Sequence, residues 1–127
     1  MTVDDAGRLA LALPDVSEGA RHGSRTWGVN GKGFAWERPF SKADIKRFGD
    51  AAVPDGPIPA VRVSDLSEKE AVLAASPTAF FTIAHFNGYA AVLIQLSKVT
   101  EEALQETIVD GWLACAPPKL IARYLKT

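Results

Sequence analysis

Glu18, Arg21, His22 and Arg25 stand within one short stretch of the chain, and they are the residues best suited to chemistry. Two guanidinium groups can clasp a carboxylate or a phosphate through paired N–H donors. An imidazole titrates close enough to neutral pH to move a proton. His85 and Tyr89, further along, could complete such a site for a small anionic ligand or a peptide. A second set suits a longer polyanion: Arg25, Lys32, Lys42, Lys46, Arg47, Arg62, Lys119 and Arg123. If most of these converged, each could neutralise a phosphate, and nucleic-acid affinity would be strongly salt-dependent. Base readout needs Asn, Gln or Arg at a groove, for which Asn30, Asn87 and Gln95 are candidates. Carboxylates are interleaved, with Asp44, Asp50 and Asp55 sharing a segment with Lys42, Lys46 and Arg47.

Other chemistry is excluded by spacing. The Gly31-Lys32 pair invites a phosphate-loop reading, but that loop needs Gly, four residues, then Gly-Lys-Ser/Thr at the start of a helix. Here only two residues stand between Gly28 and the pair, Gly33 stands where a hydroxyl is required, and a strand-like run follows. Lys32 is therefore a lysine on a hairpin tip. Cys115 is the only cysteine, which excludes an internal disulfide and a cysteine-based zinc site. Its neighbours Trp112, Leu113, Ala114 and Ala116 predict an inert, packed thiol. His22 and His85 have no third metal ligand at a recognisable spacing, and no nucleophile-elbow pattern occurs. The expectation is a binding protein rather than an enzyme, with no metal and no cofactor.

At 127 residues and 13.6 kDa, 1–127 is expected to be one domain. With 47% hydrophobic and 23% charged residues it can bury an ordinary core. A net charge of −1 and a pI near 6.1 provide no overall attraction to nucleic acid or anionic membrane. Any such binding must come from a local patch. The N-terminal stretch lacks the basic and apolar regions of a signal peptide, and no run approaches a membrane span. A cytoplasmic protein with no membrane partner is expected.

The elements that must position these residues follow from period and punctuation. Thr2 and Asp5 form a capping-box pattern ahead of Val3, Ala6, Leu9, Ala10 and Leu13 at helical spacing, with Pro14 as the stop. Residues 15–24 read as a loop. Two strands, 25–29 and 33–38, flank Asn30-Gly31, the strongest short hairpin signal. Alternation places Trp27 and Val29 on one face, and Phe34 and Trp36 on one face. Residues 39–58 form a long connection in which Ser41 and Asp44 cap a short helix carrying Ile45 and Phe48 inward, ended by Gly49. A strand around Val61 and Val63 follows, with Arg62 outward. Ser67 and Glu70 suggest a capping box for a helix ending at Ser76-Pro77. Residues 80–84 and 89–96 read as strands around Asn87-Gly88, with Val92, Ile94 and Leu96 on one face. Thr100 caps a helix whose Leu104, Ile108, Trp112 and Cys115 form a buried stripe, and a terminal helix follows Pro117-Pro118. The sum is an α+β, two-layer domain: an antiparallel sheet of about five strands covered by helices. On the face away from the core, Ala35, Glu37, Arg62, Ala91, Leu93 and Gln95 could form a protein-interaction surface, including a homodimer contact.

The succession "LPDVSEG", His22-Gly23, "WGVNGKGFA", "LSEKEAVLAASPTAFF", the strand through Val92-Leu93-Ile94-Gln95-Leu96, and "APPKL" resembles the MmcQ/YjbR family over nearly the whole chain. The resemblance implies a CyaY-like α/β fold and a bacterial protein labelled DNA-binding, because its paired hairpins are similar to a double wing. Two features depart from the usual pattern. No tryptophan follows His22-Gly23, and the 39–58 connection is longer and more basic.

Overall fold

The computed structural model describes residues 1–126. Helix α1 (Val3–Leu11) starts as expected: Thr2 Oγ1 accepts from the Asp5 N–H, and the Asp5 carboxylate accepts from the Thr2 N–H. Six strands follow: β1 (Val16–Arg21), β2 (Ser24–Val29), β3 (Lys32–Glu37), β4 (Pro59–Arg62), β5 (Phe80–Phe81) and β6 (Ala91–Ile94). They form one antiparallel sheet in the order β1-β2-β3-β4-β6-β5. Helices α2 (Lys42–Phe48), α3 (Leu66–Ala75), α4 (Glu101–Cys115) and α5 (Pro118–Leu125) complete the α+β fold.

The strand beyond the expected five is β1, which occupies most of the segment read as a loop. It pairs with β2 from Val16↔Val29 to Arg21↔Ser24. The turn between them uses His22 at φ 52° and Gly23 at φ 78°, two consecutive left-handed residues, as a tight type I′ hairpin requires. Asn30 (φ 53°) and Gly31 (φ 75°) make the same turn between β2 and β3, as their sequence predicts.

One sheet face packs on α1 and α4. Trp27, Val29, Phe34, Val61, Val63, Val92, Ile94 and Leu96 are buried there against the Leu104, Ile108, Trp112 and Cys115 stripe. The α4 backbone comes very close at Gly111, where an added Cβ would lie 2.7 Å from Val61 Cγ1 and 3.0 Å from the Arg62 carbonyl oxygen.

Trp36 departs from simple alternation. Pairing passes from Trp27↔Ala35 to Gly28↔Gly33, which leaves Phe34 as the extra residue of a bulge. Phe34 and Ala35 both join the helix-side core, and Trp36 turns to the opposite face. There a second cluster, built on Ile58, Ala60, Ile83, Phe86, Ala91 and Leu93, is packed by Trp36, Phe40, Phe48, Phe81 and Tyr89. The face expected to be open for protein contact is therefore covered over its β4–β6–β5 half. Ala91 and Leu93 are fully buried, Ala35 points to the helices, and Gln95 is tied to Asp55 by its side-chain amide.

Three further local readings change. In α2 the Ser41–Asp44 capping box and the Gly49 stop form, but Ile45 is exposed and Asp44 is the buried residue. Helix α3 begins two residues early, because the Asp65 side chain rather than Ser67 accepts from its first turn. The 80–84 strand shortens to Phe80–Phe81, since Ala84–Phe86 forms a 3₁₀ turn. Asn87 (φ −60°, ψ 128°) and Gly88 (φ 75°) then reverse the chain as a type II turn. No helix among the described residues is long and apolar enough to cross a membrane.

Candidate anion-binding site

The uncovered half of the second sheet face holds a cavity of about 450 Å³. Thr26, Gly33 and Trp36 floor it, a consequence of the bulge that turns Trp36 outward. Arg21 and His22 enter from the first hairpin turn, Arg38 and Pro39 from the end of β3, Arg62 from β4, and Tyr89 from the turn before β6. Three guanidinium groups from three separate parts of the chain thus share one concavity with two aromatic side chains.

Two of these arginines are held by rings. The Arg62 guanidinium lies 5.6 Å from the Tyr89 ring centre, and its Nε donates to the Gly33 carbonyl at 3.0 Å. Arg38 lies 5.7 Å from the Phe86 ring centre. Its Nη1 reaches the Pro39 carbonyl at 2.6 Å and Asp44 Oδ2 at 2.9 Å. Stacking of this kind is favourable and fixes the planar fork. Trp36 leans on both rings, 6.5 Å from Phe86 and 6.4 Å from Tyr89. The Arg21 and His22 side chains are exposed and make no hydrogen bond or ion pair among the described residues. Glu37 is the one carboxylate of the lining, and its Oε1 accepts from the Arg25 backbone N–H at 2.8 Å.

The shell behind the cavity carries two buried charges. Burial alone would raise the Asp44 carboxyl, but the Ser41 N–H, the Arg38 guanidinium and the Ser41 hydroxyl outweigh it and hold the group below the usual carboxylate range. Lys69, on α3, is buried, and its ammonium donates to the Phe86 carbonyl at 2.7 Å and the Tyr89 carbonyl at 2.8 Å. Burial lowers its pKa from the ordinary lysine value.

The expected site residues divide. Arg21, His22 and Tyr89 meet at the cavity, whereas Glu18 and Arg25 lie on the helix side of the sheet. Arg25 is bound to Asp4 at 2.6 Å and to Glu18 at 3.0 Å, and its guanidinium covers Trp27, whose indole N–H donates to the same Glu18. Hydrogen bonding from Arg25 lowers the Glu18 carboxyl, and Glu18, followed by Asp4, raises Arg25 in turn. His85 sits exposed on the 3₁₀ turn, 6.2 Å from the Phe86 ring and outside the cavity lining.

Of the basic residues read as phosphate contacts, Arg62 is in the cavity, and Lys32 borders a shallow groove that adjoins it through Arg21, Thr26 and Gly33. Lys42 and Lys46 are exposed on α2, where Arg47 approaches Asp44 at 3.7 Å. Lys119 and Arg123 belong to α5, which packs through Leu120 and Tyr124 on the helix-side core. The eight do not form one surface. Arg38, Trp36 and Lys69 are not among the site residues expected from the sequence. The X-Pro junction at Arg38-Pro39 marks a strand end, but nothing local announces the bulge or the buried ammonium. Among the described residues no cluster of three His, Cys, Asp or Glu could hold a metal. Cys115 is buried, and burial pushes its thiol up.

Residues 11–114 match the YjbR family model. Uncharacterized proteins of Mycobacterium bovis and Mycobacterium tuberculosis are 41% identical over 127 residues, covering 98% of this chain and 95% of theirs. The crystal structure of Deinococcus radiodurans protein DR2400, a DUF419 domain, superposes with a TM-score of 0.64. It is 21% identical and covers 88% of this chain and 76% of its own, a likeness of fold. The chain belongs to the YjbR family.

Proposed function

We propose that this domain binds a small organic anion: a phosphate or carboxylate carried on a planar or apolar body that rests on Trp36. The observation that supports it is the convergence of Arg21, Arg38 and Arg62 on one concavity with Trp36 and Tyr89. The volume suits a ligand of metabolite size, and pockets of this kind are mixtures of apolar wall and a few placed polar groups. Arg62 and Arg38 are already stacked and tethered, so little side-chain freedom is lost when an anion arrives. Arg21, exposed and unpaired, closes from the hairpin side, and His22 supplies a further donor when protonated.

Binding of duplex DNA, which the family resemblance suggests, has weaker support. A phosphate backbone laid on this protein would meet Arg62, Arg21 and Lys32, while Arg25, Lys119 and Arg123 lie on the helix side. Calorimetric titration with inorganic phosphate, adenosine monophosphate and benzoate separates the readings, alongside duplex and single-stranded DNA at about 50 and 200 mM salt. A small anion is expected to bind the wild type, with affinity lowered roughly tenfold or more by Arg62→Ala. DNA binding that falls at least tenfold between the two salts and is lost in Lys42→Glu/Lys46→Glu, with no binding of small anions, would replace this reading by the DNA one.

A further inference from the structure

We infer that Lys69, which does not line the cavity, is a positioning residue for the anion site: its ammonium fixes the 86–89 turn on which the Arg38 and Arg62 guanidinium groups are stacked. The inference rests on the anion-binding reading above and asks what sets the geometry of its arginines.

The connection is short and continuous. Lys69 Nζ donates to the carbonyls of Phe86 and Tyr89, the first and last residues of the type II turn. The Phe86 carbonyl also accepts the Tyr89 N–H at 3.0 Å, so it serves both the turn and the lysine. The rings of these two residues meet edge to face at 5.4 Å. Each carries one arginine of the cavity: Phe86 carries Arg38, and Tyr89 carries Arg62. A single cation on α3 therefore holds both platforms from behind.

The choice of lysine at this position is physically expensive. Lysine is seldom fully buried unless paired, and Lys69 is 6% exposed with no carboxylate within ion-pair distance among the described residues. Methionine has a similar length and would avoid the desolvation cost. A tail of apolar atoms cannot bind two turn carbonyls, and the turn would lose its tether to α3. Fixing the rings is the return the position gives.

The test uses the full chain, adenosine monophosphate as probe, and three variants: Lys69→Met, Lys69→Gln and Arg62→Ala. Lys69→Met is expected to keep or raise the melting temperature while weakening binding about tenfold, with movement of the Arg62 Nε–H resonance. Lys69→Gln is equally neutral but can donate, so it is expected to recover part of the affinity, which a purely electrostatic role would not allow. Should Lys69→Met fail to fold, Lys69→Gln carries the comparison with wild type. Wild-type affinity in a folded Lys69→Met, or in Lys69→Gln if only that variant folds, overturns the inference while leaving the anion site intact. Equal losses in both neutral variants also overturn it, in favour of charge alone. If neither wild type nor Arg62→Ala binds the probe or any other small anion, the anion-binding reading itself fails and the inference falls with it.

Discussion

Arg21, Arg25, Arg38 and Arg62 have four different surroundings, and the differences decide which of them can meet a ligand. Arg25 is enclosed by Asp4, Glu18 and the Trp27 ring, Arg38 by Asp44 and Phe86, and Arg62 by Gly33 and Tyr89, while Arg21 is unpaired. Only the last three line the cavity, and sequence proximity wrongly grouped Arg25 with Arg21. Directly paired residues of two antiparallel strands share a face, and Arg25 pairs with Ala20 while Arg21 pairs with Ser24, so the two arginines point to opposite sides of the sheet. The Arg38–Asp44 pair gives a prediction at this scale. Asp44 has a folded-state pKa below its unfolded value of about 4. Its contribution is complete above that value and is lost as pH falls through the lower folded value. Asp44→Asn should cost about 3 kcal/mol at pH 7, since it leaves Arg38 without its buried partner. Urea denaturation should show the gap from wild type shrinking as pH drops below about 4.

At the scale of elements, most helices and the Asn30-Gly31 hairpin were legible because caps and turns are local. Thr2, Ser41 and Thr100 each cap the helix they announce, and Asn30-Gly31 makes the turn it signals. β1 was hidden because Ser17, Glu18, Gly19 and Ala20 have low strand preference; pairing with β2 overrides it. The bulge at Phe34 was hidden for a different reason, since register is set between strands and leaves no mark on either one alone. Gly111 illustrates an element-scale constraint. Alanine is the better helix former, yet its Cβ would overlap Val61. Gly111→Ala should therefore lower stability by about 1–3 kcal/mol in chemical denaturation. Between α3 and α4, burial, then Glu106, then Glu68 raise the Asp110 carboxyl. Its ionised form is disfavoured in the fold, so stability is lowered above the unfolded pKa and recovered as pH falls through the raised folded value. Asp110→Asn should stabilise the protein at pH 7 by about 0.5 kcal/mol, the size of one like-charge pair on a helix. The gain should fade in melting curves taken at acid pH.

The whole molecule is an antiparallel sheet with one face packed by helices and the other half covered by the 39–58 connection and the aromatic cluster beneath it. The boundary of that partial cover is where the cavity lies, between the Phe86–Tyr89 side and the bare β1–β3 strands. Fold class followed from the order of elements, which any single sequence displays. The site did not, because it depends on which face each strand presents and where the second cover stops. If Arg62 serves an anion, as proposed, and Arg25 serves the fold, one titration separates them. Wild type, Arg62→Ala and Arg25→Ala would be titrated with adenosine monophosphate and inorganic phosphate at pH 7. Arg62→Ala is expected to lose affinity roughly tenfold or more, and a folded Arg25→Ala to keep wild-type affinity within about twofold. Equal affinity in wild type and Arg62→Ala, or a loss confined to Arg25→Ala, would contradict that assignment.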